Sequence, residues 1–311
     1  MSSDKTVCNS ETQQQGSFST AMLTVCGRPN VGKSTLVNRL VGEKVAIVSP
    51  KPQTTRNRIT AIVSHGDTQF ILMDTPGFHR PKNRLDDYMV SVVRESVADV
   101  DGVLLIVEPI PSVGPQEEAL ISRIEEQKLP SMLVINKIDT VEKEKLLEVM
   151  AAYADRHTFD AILPVSAKTG EGIEALFCEM ERYTAPGPHL FPDDMITDQP
   201  ERQICAELIR EKLLRNLDRE VPHGTAVEIT KFSERPDGLV DIDATIFCEK
   251  ESHKGIIIGK KGTMLKKVGA EARQDIEAFL DTRVNLQTWV KVKESWRDSL
   301  AQLRNFGYMD V

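Results

Sequence analysis

One short run concentrates the residue types that handle phosphate. Gly27-Arg28-Pro29-Asn30-Val31-Gly32-Lys33-Ser34, followed by Thr35, fits the pattern GxxxxGK[ST]. An apolar run precedes it and a helical pattern follows, which is the placement a phosphate loop needs. Glycines let backbone N–H groups close round phosphate oxygens, and the helix N-terminus adds partial positive charge. Lys33 can then reach the β and γ phosphates while Ser34 ligates Mg2+. The alternative, an ordinary glycine turn, does not call for the full motif in this context.

Three further segments fit the same chemistry. In Asp74-Thr75-Pro76-Gly77 a carboxylate can hold Mg2+ through water and a glycine backbone can donate N–H to a γ phosphate. Alone, that sequence is also good turn chemistry. Asn136-Lys137-Ile138-Asp139 ends an apolar run, and Asp139 is its discriminating residue. A carboxylate there can accept from guanine N1–H and the 2-amino group; adenine has no 2-amino group and would leave the carboxylate unpaired. Ser166-Ala167-Lys168 could offer a backbone N–H to guanine O6, though by itself this tripeptide says little.

These residues need a scaffold that brings strand ends together. Apolar runs at 19–26, 59–64, 69–73, 102–108, 132–135 and 161–165 predict six strands, the later ones continuously apolar as in a sheet covered on both faces. Helical patterns at 33–41, 85–97, 116–126, 143–157 and 173–183 supply the connections. The economical arrangement is an α/β fold with a mostly parallel six-stranded sheet, its ligands at the carboxyl edge. Pro186, Pro188, Pro192 and Pro200 then mark a linker over 185–200.

The ordered set of motifs resembles the translation-factor-related branch of GTPases, P-loop NTPases with a small G domain, over roughly residues 20–185. The resemblance implies binding of GTP and GDP with Mg2+, and hydrolysis of GTP to GDP and phosphate. Lys33, Thr55, Asp74 and Gly77 would form the catalytic set, and Ser34, Thr55 and Asp74 the metal set. Thr55, in Lys51-Pro52-Gln53-Thr54-Thr55-Arg56, is the choice for the switch threonine, with Thr54 in reserve. If that threonine chelates only while the γ phosphate is present, 42–60 becomes an order–disorder switch, along with 75–85. Where Ras-like proteins carry a water-orienting glutamine, this chain has Phe78, so unaided hydrolysis is expected to be slow. Some similarly substituted GTPases hold K+ partly through an asparagine at the position of Asn30, yet asparagine equally suits a strained turn. Arg28 and Arg56 are near enough in sequence to be arginine-finger candidates.

The remainder has a different rhythm. A helix at 202–217 precedes alternating residues around Val227 and Ile229 and through Val240, Ile242, Ala244 and Ile246, the pattern of an antiparallel pair buried on one face and joined at 236–238. Helices at 252–258 and 263–280, a strand through Val284, Leu286, Val290 and Val292, and a last helix at 294–305 follow. Between the two middle helices lies Gly259-Lys260-Lys261-Gly262. The order α-β-β-α-α-β resembles an α+β type II KH domain, which binds RNA. Its glycines admit an RNA backbone, Lys254, Lys260 and Lys261 supply charge, and Ile256 to Ile258, with Ile257 central, would floor the bases.

Length and charge fit two such units. The chain has 311 residues, 40% apolar and 28% charged, with net charge −8. Residues 1–200 hold 20 basic against 28 acidic side chains, whereas 201–311 hold 19 of each. Residues 252–270 contain five lysines and no acid, so a local positive site coexists with a negative protein. No apolar run approaches the roughly 20 residues of a membrane span. The start has no signal-like apolar stretch, and Cys8, Cys26, Cys178, Cys205 and Cys248 form no CxxC pair, so a cytoplasmic chain with reduced thiols is expected.

The expected organisation is a disordered extension over 1–18, a GTPase domain over 19–184, a linker over 185–200 and a KH domain over 201–311. A GTPase of this branch joined to a KH domain resembles one family of bacterial GTPases. That resemblance implies a monomeric factor that binds the 3′ region of 16S rRNA and assists maturation of the small (30S) ribosomal subunit, in the cytoplasm and peripherally on the inner face of the cell membrane. The alternative is a nucleotide-gated signalling module acting on a protein or membrane partner without RNA.

Overall fold

The computed structural model describes residues 18–78, 81–96 and 100–308. The expected disorder of 1–18 falls outside this range except at Phe18, whose carbonyl accepts from the Gly187 amide at 2.9 Å. Cys8 lies outside it as well; Cys26, Cys178, Cys205 and Cys248 are free thiols.

The first unit alternates as its apolar rhythm predicts: β1 (Ser19–Cys26), α1 (Lys33–Val41), β2 (Ile59–His65), β3 (Thr68–Asp74), α2 (Arg84–Glu95), β4 (Gly102–Val107), α3 (Pro115–Gln127), β5 (Ser131–Ile135), α4 (Lys143–Ala154), β6 (Ala161–Pro164) and α5 (Ile173–Met180). The sheet order is β2-β3-β1-β4-β5-β6, parallel except for β2. The strands are apolar on both sides because helices cover both sides. Leu36 and Val37 of α1 and Leu176 of α5 pack on Leu23, Leu72 and Ile106. Ile121, Ile124, Val149 and Tyr153 pack on Leu105, Val107 and Leu133 of the opposite face. Parallel pairing puts the ends of β1, β3, β5 and β6 on one edge, so the four motifs that follow them gather there.

The proline-rich stretch is not a free tether. β7 (Ala185–Pro186) pairs antiparallel with Ser19 and Thr20, whose outer edge is open because β4 pairs with β1 only from Leu23 onward. Pro is tolerated on such a short edge strand. Farther along, the buried Gln69 side chain donates to the Phe191 carbonyl and accepts from the Leu190 and Phe191 amides at 2.9 to 3.0 Å. The Ile62 amide bonds the Ile196 carbonyl at 2.9 Å.

The second unit runs α6 (Glu201–Asn216), β8 (Ala226–Glu234), β9 (Val240–Cys248), α7 (Glu251–Ile258), α8 (Thr263–Leu280), β10 (Val284–Val292) and α9 (Leu300–Asn305). Its three-stranded sheet has the order β10-β9-β8, with β9 antiparallel to β8 and parallel to β10. Two expectations are corrected. β9 is buried on both faces, because Phe247 on its outer side packs with Trp296, Leu303 and Tyr308. The last helix begins only at Leu300: Ser295 is left-handed at φ 50° and Ser299 is extended, so Trp296 can turn inward and donate to the Gly224 carbonyl at 2.9 Å.

Candidate functional site

The cleft at the sheet edge encloses about 330 Å3 between Asn30, Lys33, Ser34, Thr55, Gly77 and Lys137. Its shape depends on close backbone approach. Gly27 has φ 152°, and a Cβ there would lie 2.3 Å from the Ile106 carbonyl oxygen; at Gly32, φ 98°, it would lie 2.3 Å from Asn136 Nδ2. Gly77 sits against Pro29, where a Cβ would come within 2.8 Å of backbone. Asn30, at φ 67°, is in the left-handed region that asparagine tolerates.

Lys33 is buried, and Nζ donates to the loop's own carbonyls, Gly27 O at 3.1 Å and Arg28 O at 2.9 Å. Burial holds its pKa below the ordinary lysine value, against the nearby Asp74 carboxylate, which raises it. Such an ammonium favours any added anion.

Beside it three oxygens meet. Ser34 Oγ donates to Asp74 Oδ2 at 2.7 Å and lies 2.9 Å from Thr55 Oγ1, which is 3.5 Å from the same Asp74 oxygen. Thr54 is turned aside, its hydroxyl donating to Lys51 O at 2.7 Å. Asp74 is fully buried and Oδ1 has no hydrogen-bond partner. Burial pushes its pKa up to about 6 despite Lys33. Two hydroxyls and a carboxylate, one oxygen orphaned, form a donor set for a hard divalent cation that completes its shell with phosphate and water. Among the described residues no cluster of three His, Cys, Asp or Glu could cage a metal instead.

The base-side loops lock onto the phosphate loop. Asn136 Nδ2 donates to Val31 O at 2.8 Å, and its Oδ1 accepts from the Ala167 amide at 3.0 Å. Lys137 Nζ donates to Asn30 O and to Glu108, each at 2.6 Å. Asp139 is exposed at the rim and accepts from Ser166 Oγ at 2.7 Å. The Ala167 N–H is thus engaged by Asn136. Thr75 and Pro76 are buried, the Thr75 hydroxyl donating to Val25 O at 2.9 Å. Phe78 packs against the α3–α4 face of the core, away from the cleft.

Neither arginine-finger candidate lines the cleft. Arg28 pairs with Glu108 and the buried Glu117. Arg56 is buried in the second unit, Nη1 donating to Thr225 O at 2.7 Å and Nη2 to His223 O at 2.8 Å.

In the second unit Gly259 and Gly262 have φ 73° and 77° on either side of the exposed Lys260 and Lys261, the latter itself left-handed. Lys254 stands one turn away, 3.9 Å from Glu251. Ile257 does not belong to this surface: it is fully buried in the core, because α7 turns that position toward α8, and the exposed isoleucine is Ile256. A groove beside the loop, lined by Leu265, Lys266, Arg273 and Thr288 between α8 and β10, extends the surface beyond what the motif alone indicates.

Family models match two segments, a "50S ribosome-binding GTPase" model over residues 22–137 and a "KH domain" model over 220–297. GTPase Era of Ruminiclostridium cellulolyticum is 50% identical over 94% of this chain and 98% of its own, and that of Clostridioides difficile is 48% identical over 94% and 99%. The chain belongs to the Era family of GTPases. Among solved structures, a variant of Aquifex aeolicus Era bound to GDP.AlF4- superposes with a TM-score of 0.90 at 36% identity, covering 94% of this chain and 99% of that one. Era in complex with MgGDPNP and nucleotides 1506–1542 of 16S ribosomal RNA superposes equally well.

With the Era fold in place, the positions that sequence reasoning passed over become visible. Arg39 of α1 holds the Ser166 loop, donating to Ala167 O at 2.9 Å and Lys168 O at 2.6 Å. Glu108, at the carboxyl end of β4, had a signal in its position on the ligand edge. Arg210, which caps the Thr54 carbonyl from α6, had none, since the contact spans 156 residues.

Proposed function

We propose that this Era-family GTPase binds GTP with its γ phosphate between Lys33 and Gly77, reads guanine through Asp139, and uses the nucleotide state to control RNA held at the Gly259–Gly262 loop. The observation that carries the reading is the meeting of Ser34, Thr55 and Asp74 oxygens beside Lys33. Those oxygens suit Mg2+, which when bound neutralises charge on the phosphates. Lys33 exchanges two carbonyls for phosphate oxygens. The Phe78 side chain cannot orient the attacking water, so unaided hydrolysis is slow. K+ is the candidate second cation and Asn30 the residue to hold it; replacing K+ by Na+ tests that role.

The RNA half of the reading rests on two supports. One is the acid-free lysine loop, and the other is the likeness to Era solved with nucleotides 1506–1542 of 16S ribosomal RNA. By that likeness the partner is the 3′ region of 16S rRNA and the task assembly of the small (30S) subunit, performed by a monomer in the cytoplasm and at the inner membrane face. No helix among the described residues is long and apolar enough to cross a membrane.

The test is binding of a 16S rRNA 3′-end oligonucleotide across a salt series, with GDP and with a non-hydrolysable GTP analogue. Log K should fall with log salt by about 0.7 per phosphate contacted, and Lys260→Ala with Lys261→Ala should shallow that slope by about 1.4. Binding that ignores both salt and these lysines would transfer the function to a protein or membrane partner.

A further inference from the structure

Thr55 Oγ1 stands at the metal site, 2.9 Å from Ser34 Oγ, and within the first unit Gln53 anchors the loop two residues earlier by donating to Asp86 at 2.9 Å. The chain on either side is gripped by the second unit. Ahead of it, Arg210 of α6 donates to the Thr54 carbonyl, and Glu211 accepts from the Val48 amide at 2.9 Å. Directly after it, Arg56 leaves the first unit and enters a cage. Its guanidinium lies 5.6 Å from the ring centroids of both Trp296 and Tyr308, and donates to Thr225 O at 2.7 Å, His223 O at 2.8 Å and Tyr308 Oη at 3.1 Å. Arg56 is 2% exposed.

A guanidinium held by two carbonyls, a phenol oxygen and two aromatic rings has almost no freedom. Thr55 is one peptide away, and consecutive Cα atoms are about 3.8 Å apart, so the cage sets where the Thr55 hydroxyl can be. Lysine cannot reproduce the grip, since one ammonium cannot present donors in the planar fork that meets both carbonyls.

We infer that Arg56 is a positioning residue for Thr55, and that the second unit, through the cage of Thr225, His223, Trp296 and Tyr308, completes the triphosphate–metal site. This rests on the reading of Thr55 as a Mg2+ ligand. The consequence is selective: binding of GTP with Mg2+ depends on the cage, and binding of GDP does not.

The experiment titrates Mg2+ against the full chain with a fluorescent non-hydrolysable GTP analogue and, separately, fluorescent GDP. The variants are Thr55→Ala, Arg56→Lys, Tyr308→Phe and the double variant Thr55→Ala/Arg56→Lys. Arg56→Lys should raise the Mg2+ midpoint for the triphosphate about tenfold and Tyr308→Phe, which removes only the phenol oxygen, about twofold to threefold. The GDP titrations should stay unchanged, and the double variant should match Thr55→Ala, because the arginine acts through the threonine. If Arg56→Lys does not fold, Tyr308→Phe carries the test. Wild-type midpoints in Arg56→Lys and Tyr308→Phe beside a raised midpoint in Thr55→Ala would overturn the inference. An unmoved Thr55→Ala midpoint would overturn the metal reading beneath it.

Discussion

Ser166 Oγ donates to Asp139 Oδ1 across 2.7 Å, joining the loop after β6 to the loop after β5. Asp139 is exposed, so this bond is what fixes the carboxylate before a base arrives. Ser166→Ala should lower GTP affinity about tenfold, the effect of losing a hydrogen bond to a charged group, and leave any binding of ATP unchanged. Competition against fluorescent GDP measures both; an equal loss for the two purines would remove Ser166 from base recognition.

Glu108 ties the phosphate loop to the base loop, accepting from Lys137 Nζ at 2.6 Å and lying 3.5 Å from Arg28. Lys137 in turn reaches the Asn30 carbonyl. Glu108→Gln should therefore speed GDP release several-fold with kcat little changed, since the pair positions the nucleotide and touches no reacting atom. Stopped-flow displacement of fluorescent GDP would show it, and an unaltered release rate would contradict it.

Acid should weaken the seam between the two units. Asp275 accepts from Lys44 Nζ at 2.6 Å and also from Lys212, and Lys44 reaches the buried Glu211 at 2.6 Å. Burial alone would raise the Asp275 pKa, but hydrogen bonds from Lys212 and Lys44 outweigh it and hold it below the ordinary 3.8. The unfolded chain therefore takes up this proton first as pH falls. The stabilisation is complete well above 3.8 and is lost progressively through and below that value. Asp275→Asn should lower the Tm at pH 7 and shallow its fall between pH 5 and pH 3; parallel wild-type and variant curves would contradict the linkage.

The nucleotide cleft was legible because its chemistry is local. Each motif lies at the end of one apolar run, and parallel pairing then brings the runs' ends together without further information. The choice of Thr55 over Thr54 rested on resemblance, because both hydroxyls are equally near in sequence; in the fold backbone direction separates them, Thr55 meeting Ser34 and Asp74 while Thr54 turns to Lys51. Ile257 was misread as surface because a three-isoleucine run on a short helix does not reveal which member faces inward. The proline-rich stretch hid its pairing, since prolines signal a break and the open edge at Ser19 and Thr20 is a property of the sheet. The Arg56 cage joins residues 56, 223, 225, 296 and 308, and no local pattern could announce it.

Purine selection by the Asp139 carboxylate is tested most directly by competitive binding of GTP, ATP and xanthosine triphosphate to the wild-type chain and to Asp139→Asn. The wild type should prefer GTP, and the amide should lose GTP by at least about a hundredfold while gaining the xanthine nucleotide, whose C2 carbonyl can accept from it. A wild type that retains ATP, or an Asp139→Asn variant that keeps its GTP preference, would contradict the account.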